Sequence, residues 1–198
     1  MPHRTQPLLH AVLAMALACA LAAPAAAAVD GYDSAESAFR AAFIDSGVAG
    51  RAYAQDRECA AALYEMPDGR WHSTPVRAGE RDRSLIPYHE VPPEALRIIG
   101  AHTHGRPHEA LDQGQVWGLG YSQADLRNAW HNFTVTQGRI AGQLLLSSDL
   151  RILRLGWSGP AAVAPAAWSA GAVAAAPQGR IEVIGQLAPF EATLADLR

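Results

Sequence analysis

Lysine is missing altogether: all 16 basic residues are arginine. Schiff-base chemistry, a phosphate-loop lysine and a lysine general base are thereby excluded. Cysteine occurs only at Cys19 and Cys59, too few for a disulfide framework. Charge is sparse as well, at 18% of residues with a net of −3, which argues against a dedicated nucleic-acid binder. Sparse charge does not here mean disorder. Hydrophobic residues make up 49% of the 198 positions, a globular composition with length for one domain of average size. Alanine fills 41 of those positions, so the large side chains available to a core are fewer than the percentage suggests. No internal repeat is visible.

Residues 1–7 carry Arg4 and no acid, residues 8–23 form an almost unbroken apolar run, and Pro24 and four alanines follow. This order predicts a secretory signal peptide over residues 1–28. The run of 16 residues falls short of the roughly 20 needed to span a bilayer, and Cys19 lies too deep within it for a lipoprotein site. The expected mature chain, residues 29–198, keeps Cys59 alone and cannot close an internal disulfide. No other segment reads as a membrane span, so an exported protein is expected, periplasmic or extracellular, without stable membrane insertion.

Residues 33–36 (Asp-Ser-Ala-Glu) read as a helix start, with Ala35, Ala38, Phe39, Ala42 and Phe43 at helical spacing and Gly47 as the stop. Residues 57–64 (RECAAALY) and 70–76 read as two strands of a hairpin around Pro67-Asp68-Gly69. Residues 77–94, rich in charge and proline, read as a connection. The apolar stretch 95–101 is expected to be a central strand. Residues 105–121 form a long glycine-containing loop of the kind that is often functional, and 122–133 a helix. Two or three short strands fill 135–155, broken at Gln137-Gly138 and at Ser147-Ser148-Asp149. Residues 156–178, rich in Ala and Pro, carry no assignment. A last strand at 180–187 and a tail helix at 191–197 complete the reading.

His102-Thr103-His104 follows the apolar strand. Residues two apart on a strand share a face, so the two imidazoles form a ready pair for a divalent metal. An incidental His-x-His is the plain alternative. Ser122-Gln123-Ala124-Asp125 opens the next helix. Its plain reading is an N-cap serine with an acid three residues on; its functional reading is an aspartate held at a rigid helix start as a third ligand, leaving a position open for water. Glu58 sits beside a small, apolar run, an unusual place for a carboxylate because its burial is costly. Unless it is merely a strand-end acid, it suits a general base next to a water that a metal has acidified.

The order Glu, His-x-His, Ser-x-x-Asp resembles the JAB/MPN (JAMM) metalloprotease superfamily. RECAAALY, LRIIGAHTHG and YSQADLRNAW resemble its bacterial branch described as DUF4329, over roughly residues 34–155. Carried over position by position, the resemblance implies His102, His104 and Asp125 as ligands of Zn2+ and Glu58 as the acid/base that deprotonates the water zinc activates. Ser122 would hydrogen-bond the developing oxyanion. Two departures stand out. Ala60 and Ala61 occupy positions usually held by glycine, and 17 residues separate His104 from Ser122, more than in the standard motif.

Other residues compete. His108-Glu109 offers an exchangeable ligand or a solvated loop pair, and Trp117 a lid or a buried loop anchor. Cys59 invites a Cys/His nucleophile reading, although a mid-strand cysteine usually packs inertly. His131 reads as surface, and His72 and His89 have no partner pattern. The expected fold is a single mixed α/β domain: a curved, largely antiparallel sheet flanked by helices, JAB/MPN-like with cytidine-deaminase-like layering. The expected function is a secreted zinc-dependent hydrolase of peptide or isopeptide bonds, acting on a peptide or protein substrate. The alternatives are a non-catalytic binding module or immunity-type partner, and a toxin-like effector with the same chemistry.

Overall fold

The computed structural model describes residues 31–109, 116–157 and 179–187. The leader at 1–28, the Ala/Pro-rich stretch beyond Trp157 and the tail helix at 191–197 lie outside these residues, apart from strand residues from Gly179 onward.

Ser34 caps helix α1 (Ala35–Phe39) by accepting the Ser37 N–H at 3.1 Å. The helix continues as a π-helical stretch (Arg40–Asp45), where the apolar period buries Phe39 and Phe43 with their rings stacked 4.8 Å apart. Gly47, at φ 70°, takes the left-handed turn that stops it. A further short helix, α2 (Val48–Ala54), follows directly and was not expected from the sequence.

The predicted hairpin forms as β1 (Cys59–Glu65) and β2 (Trp71–Ser73), turning at Pro67-Asp68-Gly69 with Gly69 at φ 80°. The second strand is shorter than the sequence suggests because Pro75 has no N–H to give the ladder. Thr74 bridges this break, accepting the Ala62 N–H on its side-chain oxygen at 3.0 Å. The chain then returns to β1 as β3 (Arg77–Ala78). The central strand, β4 (Arg97–Thr103), starts and ends two residues later than predicted. Its start is delayed by a turn closed from the Ala95 N–H to the Pro92 carbonyl at 3.1 Å. At its far end it runs through His102 and Thr103, which pair with Ala60 and Cys59.

Within the long loop, β5 (His108–Glu109) and β6 (Val116–Trp117) pair as a separate two-stranded ribbon. Helix α3 (Gln123–Val135) follows, then β7 (Ile140–Leu146), β8 (Arg151–Trp157) and β9 (Gly179–Gln186). Gln137-Gly138, read as a break between strands, instead closes α3: both are at positive φ and Gly138 N–H donates to the Phe133 carbonyl.

The result is a mixed α/β fold around an open seven-stranded sheet ordered β2-β1-β4-β7-β8-β9, with β3 also on β1. Every pairing in it is antiparallel except β4 with β7. A parallel neighbour requires a crossover, and α3 supplies it.

The period of two sorts the sheet residues between its faces. Cys59, Ala61, Leu63, Ala101, Leu144, Leu146 and Ile152 pack with α1, the π-helical stretch and Ala49 of α2 in the largest core cluster. On the opposite face, Ala62, Ile98 and Ile140 pack against Ile86 and Tyr88 of the connection, and Leu155 packs against Leu126 and Ala129 of α3. Among the described residues no helix is long and apolar enough to cross a membrane.

Candidate metal centre

His102 belongs to the α3 face of β4, since Ala101 and Thr103, its neighbours, point to the other side. Its partner across the ladder is Ala60, whose small side chain leaves room for an imidazole. Extending that register by one step sets Glu58 opposite His104, both just beyond their strands. The crossover does the rest. A helix linking two parallel strands starts near the C-terminal end of the first, so the first turn of α3 comes to the His-x-His end of β4.

Ser122 and Asp125 form the expected capping box. The Asp125 N–H donates to Ser122 Oγ at 3.1 Å, and the Ser122 N–H donates to Asp125 Oδ2 at 2.8 Å. The plain and the functional readings of this motif are thus compatible in one residue. While it caps the helix, the Asp125 carboxylate also stands 3.6 Å from His102 Nε2 and 3.7 Å from His104 Nε2. Ser122 Oγ is engaged as an acceptor, which leaves its proton to donate.

One donor atom from each of His102, His104 and Asp125 lies within 4.8 Å of the others. Donors each about 2 Å from a cation stand at most about 4 Å apart, so the trio would draw in slightly on binding. Glu58 completes the group, with Oε1 3.9 Å from His104 Nε2 and Oε2 accepting the Ser84 hydroxyl at 2.9 Å. His102 and Glu58 are buried.

Two observations favour a cation over a purely structural cluster. Both ring nitrogens of His102 are buried without a hydrogen-bond partner, an arrangement that costs stability unless something binds there. His104 Nδ1 lies 3.1 Å from the Gly118 carbonyl. A carbonyl only accepts, so Nδ1 carries a proton and Nε2 is the atom turned toward the two carboxylates. Facing carboxylates, that nitrogen needs a second proton or a metal. A His-His-Asp group of this kind can hold a metal ion.

The metal-free electrostatics follow from the same contacts. Burial would raise the Asp125 carboxyl, but the His102 and His104 imidazoles hold it well below the usual carboxylate range. Burial would lower His104, yet Asp125, Glu58 and the Gly118 carbonyl together raise it. Glu58 is raised, chiefly by burial, with the two imidazoles and Ser84 opposing the shift.

Gly118 is bound to its role by geometry. It sits at φ 90°, and a Cβ there would come within 1.8 Å of Ser148 Oγ. The Gly118→Ala variant is expected to displace the carbonyl that orients His104. Metal affinity should then fall about 10–100-fold, as read by competition with a chromogenic chelator.

Among the described residues the remaining sequence candidates do not join the group. Cys59 lies on the opposite face, where it contacts Thr103, and burial pushes its thiol up to about 11, which removes the nucleophile reading. His131 and His89 are exposed, and His72 stacks on Tyr64. The side chains of His108, Glu109 and Trp117 lie outside the described set.

Several residues at the site were not anticipated. Ser84 and Tyr88 come from the irregular connection. Asn128, Asn132 and Gln143 line a cavity of about 320 Å³ beside His102 and Asp125. Asn128 and Asn132 follow Asp125 at helical spacing, and Gln143 is a lone amide inside the apolar run IAGQLLL, so both signals were present.

Compared with known protein families, with curated proteins and with solved structures, the chain gives no match in any of the three.

Proposed function

We propose that this protein is a zinc-dependent hydrolase of peptide or isopeptide bonds, built on a JAB/MPN-like arrangement of sheet and helices. The observation that carries the reading is the Glu58 carboxylate set against the His102, His104 and Asp125 group from the neighbouring strand. An unpartnered nitrogen of His102 and the mixed imidazole–carboxylate donor set fit zinc. Bound there, zinc would supply Lewis acidity toward a carbonyl oxygen and toward water.

The chain's own groups have distinct tasks in this reading. Glu58 takes the proton of the attacking water on Oε1, while Ser84 holds Oε2 and so fixes the carboxylate's orientation. The same carboxyl then returns that proton to the leaving nitrogen. Asp125 is locked by the capping box, which removes rotamer freedom before substrate arrives. The Ser122 hydroxyl donates to the developing oxyanion. The leader-like residues 1–28 support a place for this activity outside the cytoplasm.

The test is metal content and turnover on a peptide mixture. The wild type should carry one zinc per chain and cleave. Glu58→Gln should keep its zinc and lose about 10²–10⁴-fold in kcat. A wild type without stoichiometric zinc removes the metal reading. Zinc binding without cleavage leaves a metal-binding module in place of an enzyme, and turnover indifferent to Glu58→Gln removes Glu58 as the general base.

A further inference from the structure

The cavity beside the metal group has a wall chemistry of its own. At one end stand His102 and Asp125; its sides come from Tyr88, from Asn128 and Asn132 on α3, and from Gln143 on β7. Its volume of about 320 Å³ is at the low end for sites that enclose a small ligand. Small residues on the sheet make room for the Tyr88 ring end in this wall. Ala62 lies opposite Gly100 on the adjoining strands, and a Cβ on Gly100 would come within 2.4 Å of the Tyr88 hydroxyl.

Two polar atoms in this wall lack a well-formed hydrogen bond, although the Tyr88 hydroxyl interacts with the neighbouring Gln143 and Asn132 side chains. They are Tyr88 Oη and Gln143 Oε1, both buried, and Gln143 as a whole is only 3% exposed. Buried groups of this kind are rare in a native protein unless a ligand or water completes them. Gln143 Oε1 can only accept, and the Tyr88 hydroxyl can donate. A ligand meeting both must offer a donor and an acceptor together, as the N–H and carbonyl of a carboxamide do. Apart from His102 and Asp125 at the metal end, the lining contains no ionisable group other than the Tyr88 phenol, and burial holds that phenol above its ordinary pKa, hence neutral. Away from that end a charged side chain would enter without a counter-charge. Leu85, 82% exposed at the rim, offers an apolar contact to the rest of a chain lying across the mouth.

We infer that this cavity is a substrate subsite for an uncharged carboxamide side chain, glutamine or asparagine, close to the bond to be cut. The inference deepens the hydrolase reading and rests on it for the cutting; the recognition itself can be measured without turnover. The probe is a set of capped pentapeptides, Ala-Ala-X-Ala-Ala, with Gln, Asn, Leu, Glu or Arg at X. These are titrated into Glu58→Gln protein in the presence of zinc.

The Gln or Asn peptide is expected to bind about tenfold or more tightly than the other three, because a pocket built for hydrogen bonds rejects ligands that leave them unmade. Tyr88→Phe and Gln143→Leu should each erase that preference. The Tyr88→Phe variant should melt close to its parent, since the hydroxyl it loses makes no well-formed hydrogen bond within the protein. Equal affinity for Leu, no binding by any peptide, or a preference that survives both variants overturns the subsite. A carboxamide preference in a protein that never cleaves peptides overturns the hydrolase reading alone and leaves the subsite standing.

Discussion

Zinc added to the metal-free protein is expected to raise its unfolding midpoint by roughly 10 °C. With free metal about a thousandfold above the dissociation constant, linkage contributes about 4 kcal/mol, and a domain of this size gains roughly 2–4 °C per kcal/mol. The size of the effect comes from the state of the empty site. His102 is buried with both nitrogens unpartnered, and Glu58 and His104 are nearly as enclosed. The fold therefore holds desolvated polar groups, and one cation would take up a nitrogen of each imidazole and a carboxylate oxygen of Asp125 together. Chelation should return the midpoint to its lower value, by calorimetry or by circular dichroism. His102→Ala and His104→Ala should each abolish the response, whereas Glu58→Gln should keep it. Ser122→Ala separates the two duties of the α3 start: it should cost about 1 kcal/mol through the lost cap while the response to zinc persists. A midpoint indifferent to chelation would show that the cluster is a polar patch of the core and nothing more.

Much of this site could be read before the fold was in view, and the reason is local. Side-chain alternation places His102 and His104 on one face whatever the strand pairs with. The Ser-x-x-Asp start needs only the helix's own N–H groups to be recognised, and it forms as read. The run of three alanines marks a strand too tightly packed for larger side chains, and its register places Ala60 beside His102. The global relations were less accessible. A hydrophobic pattern does not name a strand's neighbours, so the single parallel pairing, β4 with β7, had no signature. Yet that pairing is what delivers Asp125 to the two histidines. Ser84 and Tyr88 lie in a segment without period, where no rule of spacing says which side chain turns inward. Helix α2 escaped for a related reason: at seven residues, with Gly50 within it, its own propensity is weak, and packing against the core cluster sustains it.

Stability of the metal-free protein and the stabilisation gained from zinc are expected to run in opposite directions between about pH 5 and pH 8. Three shifts set the sign for the metal-free protein. His104 is raised in the folded state, so its contribution is complete below the ordinary imidazole pKa and is lost as pH rises through the higher folded value. Glu58 is raised too; its folded form favours the proton, so ionising it at higher pH also weighs against the fold. Asp125 is depressed, so its contribution is present above the ordinary carboxylate range and disappears only in strong acid, below the window in question. The first two effects therefore govern, and the metal-free midpoint should fall as pH is raised across the window. Zinc reverses the trend because it competes with the proton on His104 Nε2, the nitrogen facing Asp125 and Glu58, and each unit of pH removes part of that competition. The zinc-induced increment in midpoint should accordingly grow with pH, most steeply through the imidazole range. Thermal melts in matched buffers at several pH values, with zinc and with chelator, give both curves at once. In Gly118→Ala, where the Nδ1–H loses its fixed acceptor, the increment should be smaller at every pH. Parallel curves with and without zinc would mean that His104 does not exchange a proton for the metal, and the ligand assignment of Nε2 would fall with them.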